Sequence, residues 1–213
     1  MALFVSTLPV AKTSGATVTG LISDLETGQP VAARIYVQRA DGAWFHPESA
    51  SSTGSAVPYA KTNWGNPRSV EVHTTLSAHP FRVELPPGRY SVAVERGKEY
   101  HPLLRTVEVA GEPVELRLPL RRWINMAGHG WYSGETHVHR TVDELKNLVL
   151  AEDLNVTFPL SFWVTKGFAP PGTSDRNLPG DSPAELVRVD DTHVIWPRNT
   201  EYEIFTVDGK AHT

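Results

Sequence analysis

The feature that most constrains the fold of this chain is a two-residue alternation that recurs from about Ala16 to Leu120. Phe81, Val83 and Leu85 alternate with Arg82 and Glu84. Successive side chains on a strand point to opposite faces, so a strand with one buried face reads this way. Thr17–Ile22, Val31–Gln38, Val70–Thr74, Tyr90–Glu95, Thr106–Val109 and Val114–Leu118 repeat the pattern. Turn formers separate them: Asp24–Pro30, Ala40-Asp41-Gly42, Pro86-Pro87-Gly88, Arg96-Gly97 and Ala110-Gly111. About seven short strands, with no helical period among them, predict a β-sandwich over residues 16–120 that stands as a domain of its own.

Composition narrows the partners. Lys plus Arg number 20 against 24 Asp plus Glu, a net charge of −4, whereas a nucleic-acid-binding domain carries a basic surface. No nucleic acid is therefore expected. No stretch of about 18 apolar residues occurs, so no membrane span is expected either. Cysteine is absent, which excludes disulfides, thiolate metal ligands and cysteine nucleophiles together. Any metal ion must then be held by histidine and carboxylate. Residues 1–15 open with the apolar run Met1–Ala11 but lack the basic start of a signal peptide. They read either as a signal remnant or as a frayed N-terminal segment.

Within the sandwich, Glu48–Pro67 reads as a Ser/Gly/Ala/Pro-rich loop of about 20 residues, long for a compact domain. It carries Tyr59 and Trp64 beside Asn63 and Asn66. Two readings stay open: a contact surface for a polysaccharide or a neighbouring domain, and an insertion that packs on its own sandwich.

After Arg121-Arg122, read as a solvated linker, the pattern changes. Gly134–His139 is a short strand, and Thr141 with Glu144 forms a capping box that starts a helix. Leu145, Leu148 and Val149 give that helix an apolar stripe, and it is expected to end near Asn155. Val156–Val164 is almost continuously apolar, as in a strand buried on both faces. Strand, helix and buried strand make a βαβ unit with a parallel sheet. A Pro/Gly-rich loop over Phe168–Pro183 precedes strand character at His193–Trp196 and Thr200–Val207. Residues 121–213 are thus expected to be a partial α/β segment, because a closed α/β barrel takes about 250 residues.

The sharpest chemical feature is His137-Val138-His139. On a strand, residues i and i+2 face one side, so both imidazoles point together at a spacing one metal ion accepts. Neutral imidazole suits zinc, iron, manganese or nickel where no thiolate is present. The pair stands at the end of a strand just before a helix, where α/β sheets place their sites. Two exposed surface histidines remain the competing reading. A second constellation comes from register. Asp208-Gly209 signals a type I′ hairpin, and with these two as the turn Phe205 faces His212. By period two, Glu201, Glu203 and Phe205 share a face, which His212 joins diagonally to Glu203. Glu201 or Glu203, His212 and the His137/His139 pair then converge if this hairpin neighbours the first strand; otherwise it is a solvated edge hairpin. No G-x-S-x-G, G-x-G-x-x-G or phosphate-cradling Walker loop occurs.

Two family resemblances rest on these residues. Gly20–Val37 with Leu85–Val94 resembles the carboxypeptidase-regulatory, transthyretin-like sandwich that often precedes bacterial secreted enzymes. That implies an accessory fold and leans towards an extracytoplasmic (periplasmic or secreted) location. Residues 130–213, opening with Gly130–Arg140, resemble the start of a polymerase-and-histidinol-phosphatase (PHP) type metallohydrolase, most closely its CehA/McbA-like branch. The resemblance implies a distorted β/α barrel that uses two or three divalent metal ions (zinc, manganese or iron) to hydrolyse a small-molecule ester: a phosphoester or, in this branch, a carbamate or aryl ester. It implies His137 and His139 as metal ligands, Glu135 in the acidic place before them, Glu201 as a bridging ligand with Glu203 the alternate, and His212 as a further ligand. It assigns no separate catalytic residue. Two departures stand out. Where the family carries an Asp-His pair, this chain reads Ser161-Phe162-Trp163. The family's C-terminal ligands would lie beyond Thr213, so little or no turnover is expected of these residues alone. The alternative is a non-catalytic carbohydrate- or protein-binding sandwich module.

Overall fold

The computed structural model describes residues 15–164, 170–172, 183–203 and 205–212, with backbone alone for 205–207 and 211–212. Ten strands fill the first 120 residues: β1 (Ala16–Asp24), β2 (Ala33–Arg39), β3 (Trp44–Phe45), β4 (Glu48–Ser49), β5 (Ala56–Thr62), β6 (Val70–Leu76), β7 (Phe81–Leu85), β8 (Gly88–Glu95), β9 (Leu103–Val109) and β10 (Val114–Leu120). One sheet runs β10-β1-β7-β4 and the other β5-β6-β2-β8-β9, with β3 beside β2. All seven segments expected from alternation are strands: β7 alternates buried and exposed along its whole length, whereas β6 is buried on both faces from Val72 to Leu76. Val18 and Ile22 of β1, Ile35 of β2, Phe81 of β7, Val92 of β8 and Leu118 of β10 belong to one apolar cluster, so the two sheets share a core as in a β-sandwich.

Close packing decides one residue type inside this core. The Phe81 ring lies over Gly20, where a Cβ would stand 2.5 Å from Cζ, so no larger residue fits there without repacking. Tyr90 is buried beside it, and its hydroxyl donates to Pro86 O at 2.7 Å, which meets the need of a buried polar tip.

The stretch Glu48–Pro67 is not a loop throughout. β4 pairs with β7, and β5 lies antiparallel along β6 from Ala56↔Leu76 to Thr62↔Val70. β5 escaped the alternation test because it is an edge strand with little buried surface, and its Pro58 suits an edge, where no ladder N–H is required.

After the sandwich come a 3₁₀ turn (Ala127–His129), β11 (Gly134–Val138), α1 (Val142–Ala151), β12 (Val156–Val164), β13 (Val187–Arg188), β14 (Val194–Ile195), β15 (Asn199–Tyr202), β16 (Phe205–Val207) and β17 (Lys210–His212). β12 is central: β11 runs parallel on one side, and β14 and then β15 run parallel on the other. β11, α1 and β12 are the expected βαβ arrangement. Thr141 caps α1 by accepting from the Glu144 N–H at 3.3 Å. The helix ends at Ala151, four residues before the expected Asn155. Asp153 adopts a left-handed φ of 52°, and Leu154 N–H reaches back to Val149 O at 3.0 Å, closing a Schellman turn.

The pair Arg121-Arg122 is a solvated linker only in part: Arg121 is exposed, but Arg122 is engaged. The Arg122 guanidinium bonds to Glu99 and, at 2.7 Å, to Asp153, and it stacks 4.5 Å from the Tyr100 ring centre. Arg96 meets the other Asp153 oxygen at 2.7 Å and donates to Leu150 O at the end of α1. One buried carboxylate thus ties two sandwich arginines to the turn that ends α1. Asn147 donates to Thr75 O of β6 at 3.2 Å, and Arg34 of β2 reaches Glu152 at 3.0 Å, so α1 is docked on the sandwich by polar groups.

Candidate metal centre

Parallel strands β11, β12 and β15 point their C-terminal ends the same way, and ligand sites of α/β sheets gather at such ends. His137 lies where the β11 ladder shifts register, between Glu135 and Val138, and His139 is one residue past the strand. Irregular strand ends re-aim side chains, and here both imidazoles still meet: Nε2 to Nε2 is 3.1 Å. Glu201 completes the group. Its Oε1 stands 3.5 Å from His137 Nε2 and its Oε2 3.4 Å from His139 Nε2. Ligand atoms of all three lie within 4.8 Å of one another, the only such group of His, Asp and Glu among the described residues.

Several contacts hold this geometry. Asn199 Nδ2 donates to Thr136 O of β11 at 2.8 Å and to Phe158 O of β12 at 3.3 Å, clipping three strands together below the cluster. Glu135 accepts from the backbone N–H of His137 at 2.9 Å, so its carboxylate fixes the strand end rather than an imidazole. Trp163, opposite Glu201 in the β12–β15 ladder, donates its indole N–H to Glu201 Oε2 at 3.0 Å. The histidine side chains are 60% and 40% exposed and Glu201 is 21% exposed, so water reaches the imidazoles more freely than the carboxylate.

The donor set fits a transition-metal ion. Metal–imidazole bonds of about 2.0–2.1 Å at a tetrahedral angle place two nitrogens about 3.3 Å apart, close to the spacing seen here. Two neutral imidazoles and one carboxylate are the ligand classes that zinc, manganese and iron accept.

The cluster opens into a cleft of about 650 Å³ whose opposite wall is the sandwich. Tyr59 and Lys61 of β5 face Arg140, His137 and His139 across it. The Arg140 guanidinium stacks 5.1 Å from the Tyr59 ring centre, and Tyr59 stacks on His73 at 5.1 Å. Burial, with the charges of Arg34 and Arg140 nearby, lowers the His73 pKa to about 4, so His73 serves as a neutral support. Trp64, by contrast, is 95% exposed at the tip of the β5–β6 hairpin, and Asn63 Oδ1 is spent on the backbone N–H groups of Gly65 and Asn66. Tyr59 and Trp64 therefore do not form one platform.

Of the residues singled out in the sequence, His137, His139 and Glu201 come together; Glu203 is outside the group. β16 and β17 pair with Phe205 opposite His212, and Asp208 and Gly209 both have positive φ, as a type I′ turn requires. This hairpin forms its own two-stranded sheet, and the strand expected as Thr200–Val207 is broken between Tyr202 and Phe205. The shared face of Glu201, Glu203 and Phe205 is therefore interrupted, and the side chain of His212 lies outside the described residues. His193 is buried between Asp190, at 2.9 Å, and Asp153, at 3.7 Å, away from the cluster. Sequence reasoning missed the roles of Trp163, Lys61 and Arg140, and it left Tyr59 open between a contact surface and a packing insertion; the position of Arg140, directly after His139, was the one local signal. No family model, curated protein or solved structure matches this chain.

Proposed function

We propose that His137, His139 and Glu201 bind a divalent transition-metal ion (zinc, manganese or iron) and that the chain carries a metal-dependent hydrolase site of the PHP type, for a phosphoester or an aryl ester or carbamate. On this reading β11, α1 and β12 begin the β/α barrel that the resemblance implies, and the sandwich is a transthyretin-like neighbour. The observation that carries the proposal is the convergence of three ligand side chains at the C-terminal ends of parallel strands. A bound ion of this kind lowers the pKa of a coordinated water to about 7 and polarises the ester oxygen.

The chain's own groups do the rest. Glu201 offsets the ion's charge, Asn199 and Glu135 fix the strand ends that present the ligands, and the cleft admits the substrate between β5 and the histidines. Lys61 and Arg140 offer cationic groups on its walls, suited to an oxygen that gains negative charge.

Metal content of the untagged protein, measured by mass spectrometry beside a His137→Ala/His139→Ala double variant, tests the proposal. Near-stoichiometric zinc, manganese or iron in the parent and none in the variant is expected. Equal metal content in the two proteins, or none in either after zinc is supplied, overturns it. One observation favours a second reading, a carbohydrate-binding module: the full exposure of Trp64. Retention on a polysaccharide that Trp64→Ala abolishes would support it.

A further inference from the structure

We infer that Trp163 is a positioning residue for this centre: its indole N–H holds Glu201 Oε2 and so fixes the carboxylate that completes the ligand set. This rests on the metal reading above. An indole N–H only donates, and the carboxylate oxygen that accepts it keeps a further lone pair for an ion, so the bond orients the ligand without blocking it. At 3.0 Å the bond is of ordinary length, and Trp163 and Glu201 are direct ladder partners, so their side chains leave the sheet on the same face.

The donor is rigid. Trp163 is 4% exposed, and both its backbone groups are taken by Gly172, N–H to O at 2.9 Å and O from N–H at 3.0 Å. β11 has already ended at this level, and Gly172 replaces it beside β12. The ring also lies 6.4 Å from that of His139, so one buried side chain borders two of the three ligands.

The test is a zinc titration of the whole chain, read in two ways. Calorimetry is expected to show Trp163→Phe binding zinc about 10–100-fold more weakly than the parent, the usual cost of losing a partner of a metal ligand. Nitrogen-15 indole spectra supply a readout that packing alone would not move. The chain has 6 tryptophans, and Trp44, Trp64, Trp123, Trp131 and Trp196 are exposed, so the indole N–H slowest to exchange with solvent is that of Trp163. That resonance is expected to shift as the first equivalent of zinc binds. An unmoved resonance, or a folded Trp163→Phe with the parent's affinity, overturns the inference. If Trp163→Phe does not fold, the parent's indole resonance decides. A parent that binds zinc no better than the His137→Ala/His139→Ala variant instead refutes the metal reading, and this inference falls with it.

Discussion

Eighteen buried apolar residues join the two sheets of the sandwich into one cluster, whereas three, Leu145, Val149 and Ile195, form the buried cluster around α1 among the described residues. Burying a large apolar side chain contributes about 1.5–3 kcal/mol, so the sandwich has ample means to hold itself together and the cluster around α1 has far less among the described residues. Polar groups make up the difference. Asp153 between Arg96 and Arg122, Glu152 on Arg34 and Asn147 on Thr75 O fix the unit to the sandwich. Apolar burial is tolerant of small displacements; charge pairs with little access to water are not. The candidate centre lies in the part of the molecule whose placement depends on the less tolerant kind of contact, and its cleft has a wall on each side of that seam.

Removing the seam's central charge should therefore break the comparison most sharply. Asp153→Asn keeps a residue that accepts the left-handed backbone but leaves two guanidinium groups facing an uncharged partner, in a site where both Arg96 and Asp153 side chains are under a tenth exposed. Losing one partner of a buried pair costs about 3–5 kcal/mol. Chemical denaturation is expected to show that loss, with the environment of Trp163 changing before the sandwich unfolds. A single transition at the parent's midpoint would mean that the seam does not hold the unit.

A smaller effect is expected from Gly97→Ala. Gly97 has a φ of +48° and sits against the end of α1, where an added Cβ would stand 2.5 Å from Glu152 O and 2.8 Å from Asp153 Cβ. Backbone strain of this sort costs about 1–3 kcal/mol, and the close approach forces the turn and helix apart. A lower thermal midpoint with unchanged sandwich strand content is the expected result. An unaffected midpoint would show that the two parts are not pressed together there.

The mildest probe is pH, which separates the regions by sign. His73 lies in the sandwich with a pKa of about 4, below its ordinary 6.5, through burial first and the charges of Arg34 and Arg140 next. The unfolded chain binds that proton more readily, so stability falls as pH drops from 6.5 towards 4. His193 belongs to the seam. Burial alone would lower its pKa, but the Asp153 carboxylate 3.7 Å away and the hydrogen bond to Asp190 outweigh burial and raise it above 6.5. Its contribution is complete below pH 6.5 and is lost as pH rises through the raised value. Thermal midpoints should peak near pH 6.5, with His73→Gln flattening the acid limb and His193→Gln the alkaline limb. The same limb responding to both variants would contradict the assignment.

What the sequence made legible follows the same division. Strands that bury one face print an alternation, and β12, largely buried, prints an almost continuous apolar run; both could be read. β5 prints neither, because an exposed edge needs neither apolar residues nor a full set of N–H donors. The histidine pair was legible because two residues apart on a strand means one face. Glu201 was legible only as one of two candidates, since choosing it over Glu203 depends on where β15 stops pairing with β12. The Trp163 donor, the Asp153 seam and the wall formed by Tyr59 join residues tens of positions apart through tertiary placement, and nothing local announces them.

The parallel pairing of β1 with β10, from Val18↔Val114 to Asp24↔Leu120, has a consequence for how the molecule is made. Its partners are separated by 96 positions. A ribosome adding about 5–20 residues per second takes about 5–20 seconds to cover that distance. During that interval β1 can pair with β7 but presents its other edge bare, and a bare strand edge invites pairing with another chain. The sandwich closes its first sheet only when its last strand arrives, and the residues that form the candidate centre are synthesised directly behind that strand, onto a surface that has just been completed.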